Sequence, residues 1–225
     1  MNGASYTREK TITLNGSPWP VTDWQYVGVG RFQPNPAVPA IVWQHLVTRQ
    51  MAVWWMKSDG TGDLTAIDTT SLFYGGYAPA GWRAVAVGNF DGVGDSDIAL
   101  PHDTTGQVAF WLMNGVNQIL DTAIRGNSPN WRVTGTGDFG AGGSPTTGVK
   151  DGKDDLLLTY SDPANDATPP ISNLAGIWFM NGTMPVAYKI IQTIVNGVYY
   201  NLPISTPDWR LLATGDFDAD GRTDA

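Results

Sequence analysis

A phrase that opens on tryptophan recurs along this chain: Trp82-Arg-Ala-Val-Ala-Val-Gly-Asn-Phe90, Trp131-Arg-Val-Thr-Gly-Thr-Gly-Asp-Phe139 and Trp209-Arg-Leu-Leu-Ala-Thr-Gly-Asp-Phe217. A divergent copy in the same register is Trp24-Gln-Tyr-Val-Gly-Val-Gly-Arg-Phe32. A second phrase alternates with the first, as Trp54-Trp-Met56, Trp111-Leu-Met-Asn-Gly115 and Trp178-Phe-Met-Asn-Gly182. A chain that repeats itself in this way is an array of one supersecondary unit, in which each copy buries its apolar faces against its neighbours. Successive first phrases lie 58, 49 and 78 residues apart. The unit is therefore about 50 residues, the period of a four-stranded propeller blade or a comparable β array. The surplus is insertion, at 140–150, 161–173 and about 195–208.

Within a unit the pattern reads as strands. Asp97-Ile-Ala-Leu100 and Asp155-Leu-Leu-Leu-Thr-Tyr160 are short apolar runs, and Gln107-Val-Ala-Phe-Trp-Leu-Met113 is rich in β-formers and ends in Asn-Gly. Asn-Gly occurs at Asn2, Asn15, Asn114, Asn181 and Asn196, and it favours two-residue hairpins because both residues tolerate positive φ. Composition agrees. Of 21 acidic residues 20 are Asp and only Glu9 is Glu, and Asp suits turns and caps whereas Glu suits helices. The expected fold is all-β, a β-propeller of four-stranded antiparallel blades. Residues 1–23 end one blade, 24–81 form a divergent blade, 82–130 a second and 131–208 a third with insertions, and 209–225 begin another. Met1-Asn2-Gly3 matches the internal Met-Asn-Gly, and Asp224-Ala225 falls where a second strand should start. The expectation is a part of a larger ring, its ends completed by further repeats or by another chain.

After the Trp209 phrase comes Asp216-Phe-Asp218-Ala-Asp220-Gly221-Arg222-Thr-Asp224, with carboxylates at positions 1, 3, 5 and 9 and glycine at 6. When such a loop curls, alternate side chains converge, the glycine permits the reversal, and this number of hard oxygen donors suits Ca²⁺. A main-chain carbonyl near Arg222 would add a ligand. It is not an EF-hand, since the glutamate at position 12 is absent and the flanks read as strands. The other copies decay in steps. Asn89, Asp91 and Asp97 keep oxygen donors at positions 1, 3 and 9 with Val93 at 5, while Asp138 opens a loop whose continuation is displaced by an insertion to Asp151, Asp154 and Asp155. The Arg31 loop has no carboxylate. The competing reading is that these aspartates simply cap turns.

The run Gly-Asp-Phe-Asp-Ala-Asp-Gly-Arg-Thr-Asp224, preceded by Trp-Arg and alternating with Trp-Leu-Met-Asn-Gly, resembles the FG-GAP or VCBS-type repeat. The resemblance spans residues 1–225, strongest for the units at Trp82, Trp131 and Trp209. It implies propeller blades with Ca²⁺ in the loop between the first two strands, as in integrin α-subunit heads and many bacterial secreted proteins. By that likeness Asp216, Asp218, Asp220 and Asp224 are ligands, with Asn89, Asp91 and Asp97 a second set.

Function is constrained mostly by exclusion. A net charge of −8 and scattered basic residues argue against nucleic acid. The absence of cysteine removes disulfides, thiol catalysis and thiolate metal sites. No stretch is long and apolar enough for a membrane span, and no signal peptide is visible. His102-Asp103 is an isolated pair, His45 reads as structural, and Gly-x-Ser-x-Gly is absent, so no catalytic set is assembled. The Asn15 and Asn181 sequons coincide with Asn-Gly turns. The expected function is a non-catalytic, calcium-stabilised interaction or adhesion module, secreted or at the cell surface, that binds another protein through its insertions; Tyr74, Tyr77, Tyr199 and Tyr200 stand near or within such connections and either anchor a partner or cover blade edges. The alternatives are a lectin-like, carbohydrate-binding propeller, motivated by ten tryptophans, and a non-catalytic appendage of a secreted enzyme.

Overall fold

A computed structural model of the chain describes residues 10–18, 21–32, 38–58, 60, 65–124, 126, 128–140, 150–160, 174–195, 198–201 and 214. The Trp209 phrase, the loop from Asp216 to Asp224 and the insertion 161–173 lie outside the described residues. Among those described, the molecule is all-β, with no helix.

A short hairpin comes first, β1 (Thr13–Leu14) and β2 (Ser17–Pro18), turning through Asn15 at φ 51° and Gly16 at φ 80°. Three four-stranded antiparallel meanders follow. The first holds β3 (Trp24–Gly30), β4 (Ala40–His45), β5 (Gln50–Lys57) and β6 (Ala66–Tyr77). The second holds β7 (Ala86–Gly88), β8 (Asp97–Pro101), β9 (Val108–Asn114) and β10 (Asn117–Ile124). The third holds β11 (Trp131–Gly137), β12 (Asp155–Tyr160), β13 (Ala175–Asn181) and β14 (Met184–Ile190). A further hairpin, β15 (Gln192–Val195) with β16 (Val198–Asn201), occupies part of the segment read as insertion. The tyrosines Tyr74 and Tyr77 belong to β6, and Tyr199 and Tyr200 to β16. β1 runs parallel to the start of β6, and one parallel pair, Tyr74 with Asn117, links the outer strands of the first two sheets.

The first strands of the sheets lie side by side, with β7 between β3 and β11. That proximity explains the glycines of the tryptophan phrase. A Cβ on Gly28 would stand 2.8 Å from Val87 Cγ2, and one on Gly30 would stand 2.6 Å from Val87 Cγ1 and 2.7 Å from the Ser96 Cβ. One on Gly88 would meet Thr136 Oγ1 at 2.8 Å. Equivalent residues of three units, Val29, Val87 and Thr136, together with Thr214 from the fourth phrase, line a cavity of about 400 Å³ between the inner strands.

Two cores lie between the sheets. In the first, Val42, Met51, Val53 and Trp55 of the first sheet meet Val87, Ile98, Leu100, Trp111 and Met113 of the second. In the other, Ala86, Ala99, Val108 and Phe110 meet Val133, Leu156, Leu158, Trp178 and Met180. Neighbouring residues of β8 and β9 thus enter opposite cores, as the two-residue period of a strand requires, and a strand buried on both faces reads as a continuous apolar run. The Trp-x-Met pair of each unit faces the preceding unit. In the first unit, Trp54 and Met56 pack with Ile67 beside Ile12 and Leu14.

Candidate metal-binding loops

Each acidic loop connects the first strand of a sheet to the second. The loop from Asn89 to Asp97 joins β7 to β8, and the loop from Asp138 to Asp155 joins β11 to β12. Their hydrogen bonds correspond residue by residue. Asn89 Oδ1 accepts from the Gly92 N–H at 2.9 Å, and Asp138 Oδ2 accepts from the Gly152 N–H at 2.9 Å. Asp91 Oδ1 accepts from Val93 N–H at 2.8 Å, and Asp151 Oδ1 from Lys153 N–H at 3.0 Å. Gly92 at φ 76° and Gly152 at φ 79° make the same reversal. The insertion therefore falls between positions 1 and 3 of the third unit's loop, and the loop closes on Asp151 as the sequence reading expected.

The last aspartate has a further role. Asp97 is buried, and its two carboxylate oxygens accept from the N–H groups of Phe90 at 2.9 Å and Met113 at 3.0 Å. Asp155 is buried and accepts from Phe139 at 3.0 Å and Met180 at 2.8 Å. Each carboxylate ties the end of the first strand to the methionine of the second phrase, so the two recurring phrases are joined by one side chain. In the first unit Ala40 occupies this place in the register, opposite Gly30, and Met56 N–H donates instead to the Pro39 carbonyl at 3.4 Å. Burial pushes the Asp97 carboxyl up to about 7, against the pull of its N–H donors, and the Asp91 charge adds to the rise. Asp155 rises to about 7 for the same first reason, with Asp138 and Asp151 adding to it.

Neighbouring units are clasped at the same loops. Ser96 N–H donates to the Arg31 carbonyl at 2.8 Å while Arg31 N–H donates to Ser96 Oγ at 3.0 Å. One unit along, Asp154 N–H donates to the Asn89 carbonyl at 2.8 Å and Asn89 N–H donates to Asp154 Oδ2 at 2.7 Å. Burial raises the Asp154 carboxyl. Asp95 accepts from the Gly115 N–H at 2.6 Å, bringing the Asn-Gly turn against the loop. Sequence reasoning missed Ser96 and the roles of Asp95 and Asp154. The available signal was position, since Ser96 and Asp154 each stand one residue before the buried aspartate.

The side chains of Asn89, Asp91, Asp138 and Asp151 are thus drawn onto their own loops, while Asp97 and Asp155 also reach the third strands of their sheets. Among the described residues no group of three or more His, Cys, Asp or Glu side chains is arranged to hold a metal ion. The residues still suit a hard cation chemically, because an oxygen that accepts one N–H keeps a second lone pair. Asp216, Asp218, Asp220, Arg222 and Asp224 lie outside the described residues.

The two histidines prove to be equivalent. His45 ends the second strand of its sheet and His102 directly follows the second strand of the next, each edge-on to the tryptophan that opens the first phrase of its unit, with ring centroids 5.0 Å apart in both cases. Tyr160 takes the same place beside Trp131 at 5.1 Å. His45 Nδ1 accepts from the Val47 and Thr48 N–H groups, and His102 Nδ1 from that of Thr104. No family model, no curated protein and no solved structure matches the chain.

Proposed function

We propose that the chain is a stretch of β-propeller stabilised by calcium, acting as a non-catalytic interaction module, secreted or at the cell surface, whose partner is another protein. The observation that carries this reading is the residue-by-residue match of two loops, built from Asn89, Asp91 and Asp97 and from Asp138, Asp151 and Asp155, at one end of sheets whose first strands lie side by side. Four-stranded meanders packed face to face around adjacent inner strands suit radial blades. A calcium ion in the Asn89 loop would use oxygens presented by turns the fold already makes, and the Asp216 loop repeats that loop's pattern of oxygen donors in sequence. Both histidines serve turns and ring contacts, which supports a non-catalytic role. None of the eight described tryptophans is exposed, which argues against neutral sugars stacking on their faces. Among the described residues no helix is long and apolar enough to cross a membrane.

Calcium bound only by the folded chain stabilises it by about 2.7 kcal/mol at a concentration a hundredfold above the dissociation constant. For a chain of this size that raises Tm by roughly 5–10 °C. Calorimetry in calcium and in EDTA is expected to show this shift, and Asp218→Asn with Asp220→Asn is expected to reduce it. Identical melting in the two buffers would remove calcium from the proposal.

A further inference from the structure

Away from the acidic loops, at the opposite ends of the inner strands, a groove of about 140 Å³ opens between the first and second sheets, lined by Gln25, Gln44, His45, Leu46, Arg49 and Arg83. We infer that this groove binds the carboxylate of a sugar acid, a uronate. The inference is independent of calcium and goes beyond the protein-binding reading.

Arg49 is the first observation. Its backbone has φ 62°, in the left-handed region that favours glycine. The turn His45-Leu-Val-Thr-Arg49-Gln50 matches His102-Asp-Thr-Thr-Gly106-Gln107 of the next unit, where Gly106 has φ 72°. The first unit therefore carries an arginine where the fold asks for glycine, and strained positions of this kind gather at ligand clamps. The guanidinium is held in place: Nη1 donates to the Trp82 carbonyl at 3.1 Å, and Nη2 lies 3.6 Å from Asp103 Oδ2. Arg83 Nη2 lies 3.2 Å from the other Asp103 oxygen. One carboxylate thus orients two guanidinium forks, which leaves one positive charge and several unused N–H groups on a chain whose net charge is −8.

Gln44 is the second observation. Only 2% of it is exposed, and its amide oxygen accepts from the Ala84 N–H at 3.2 Å, yet its amide nitrogen is buried without a hydrogen-bond partner. A buried donor left unpaired calls for an acceptor. His45 adds to the set, because Nδ1 already accepts from the Val47 and Thr48 N–H groups and the ring proton therefore sits on Nε2. The polar lining is dominated by donors. A carboxylate meets a guanidinium fork in two parallel bonds, and its single charge balances the triad. A sugar acid also carries hydroxyls within a few bonds of its carboxylate, which suits the amides of Gln25 and Gln44 beside the arginines. A peptide carboxylate is flanked by an amide N–H and carbonyl and lacks the several hydroxyls, each both donor and acceptor, that a sugar acid presents.

The test is saturation-transfer NMR on the full chain with sodium D-glucuronate, D-glucose and the peptide acetyl-Gly-Gly-Asp. Saturable glucuronate binding is expected, at least about tenfold tighter than glucose or the peptide. Arg83→Gln copies Gln25, the residue at the same place in the first unit, and Arg49→Gly copies Gly106, so both substitutions put in residues the fold already accommodates. Each is expected to weaken glucuronate about tenfold or more, with Tm unchanged or raised. Absence of saturable binding, equal affinity for glucose, tighter binding of the peptide, or glucuronate affinity untouched by both variants would each overturn the inference.

Discussion

Asp97 and Asp155 show what one carboxylate does inside a sheet. Each provides acceptors for two main-chain N–H groups that sit in the interior, where an unmet donor is expensive. Asp155→Asn keeps the shape but turns an acceptor into an NH₂ group, so either Phe139 or Met180 loses its partner. Urea unfolding is expected to show a loss of about 1–3 kcal/mol, close to that of Asp155→Ala, since shape alone is not what the site uses. Equal stability of wild type and Asp155→Asn would show that the bonds contribute nothing net. The acidic pattern was legible in the sequence, and so was the displaced continuation from Asp138 to Asp151. The use of its last member was not, because the donors on Phe139 and Met180 lie 16 and 25 residues away and become neighbours only when three strands are paired. The kinship of His45, His102 and Tyr160 was hidden for a different reason. What that position requires is a ring packed against tryptophan, which two chemically unlike residues supply.

At the level of strands and turns, the inner strands are set by what their neighbours leave no room for. Gly30→Ala places a methyl 2.6 Å from Val87 Cγ1 and 2.7 Å from the Ser96 Cβ, and Ser96 is also the residue that clasps Arg31. Overpacking of this kind costs about 1–3 kcal/mol. Chemical denaturation is expected to show it, with Val87→Ala in the same chain restoring part of the loss; no restoration would mean that the crowding lies elsewhere. Strand positions were readable because alternation and apolar runs are local signals. Turn geometry was readable only in part. Asn15-Gly16 has both residues at positive φ, as an Asn-Gly hairpin predicts, whereas at Asn114 and Asn181 the asparagine closes the strand and only Gly115 (φ 63°) and Gly182 (φ 64°) cross to positive φ. There the turn has moved one residue along, to Gly115-Val116 and Gly182-Thr183, because Asn114 pairs with Asn117 and Asn181 with Met184.

Over the whole molecule, cohesion comes from the two inter-sheet cores, and the second sheet contributes to both. Phe110, fully buried and edge-on to Phe90 at 4.7 Å, stands in the core shared with the third sheet. Phe110→Ala is expected to cost about 3–5 kcal/mol. Because each sheet depends on its neighbour, far-ultraviolet circular dichroism and tryptophan fluorescence should still report one coincident transition. Two separated transitions would show that the sheets fold independently. The repeat period made the four-stranded antiparallel build of the sheets legible, while the packing of one inner strand on the next emerges only from the assembled units. The clasp has a consequence for how such a chain lengthens. The upstream residue, Arg31 or Asn89, contributes only its main-chain N–H and carbonyl, which almost any amino acid supplies, and the downstream residue needs one short side-chain acceptor. A duplicated gene segment can therefore be spliced in after an existing copy without a matched change upstream, so tandem duplication extends the array at a joint that tolerates sequence drift.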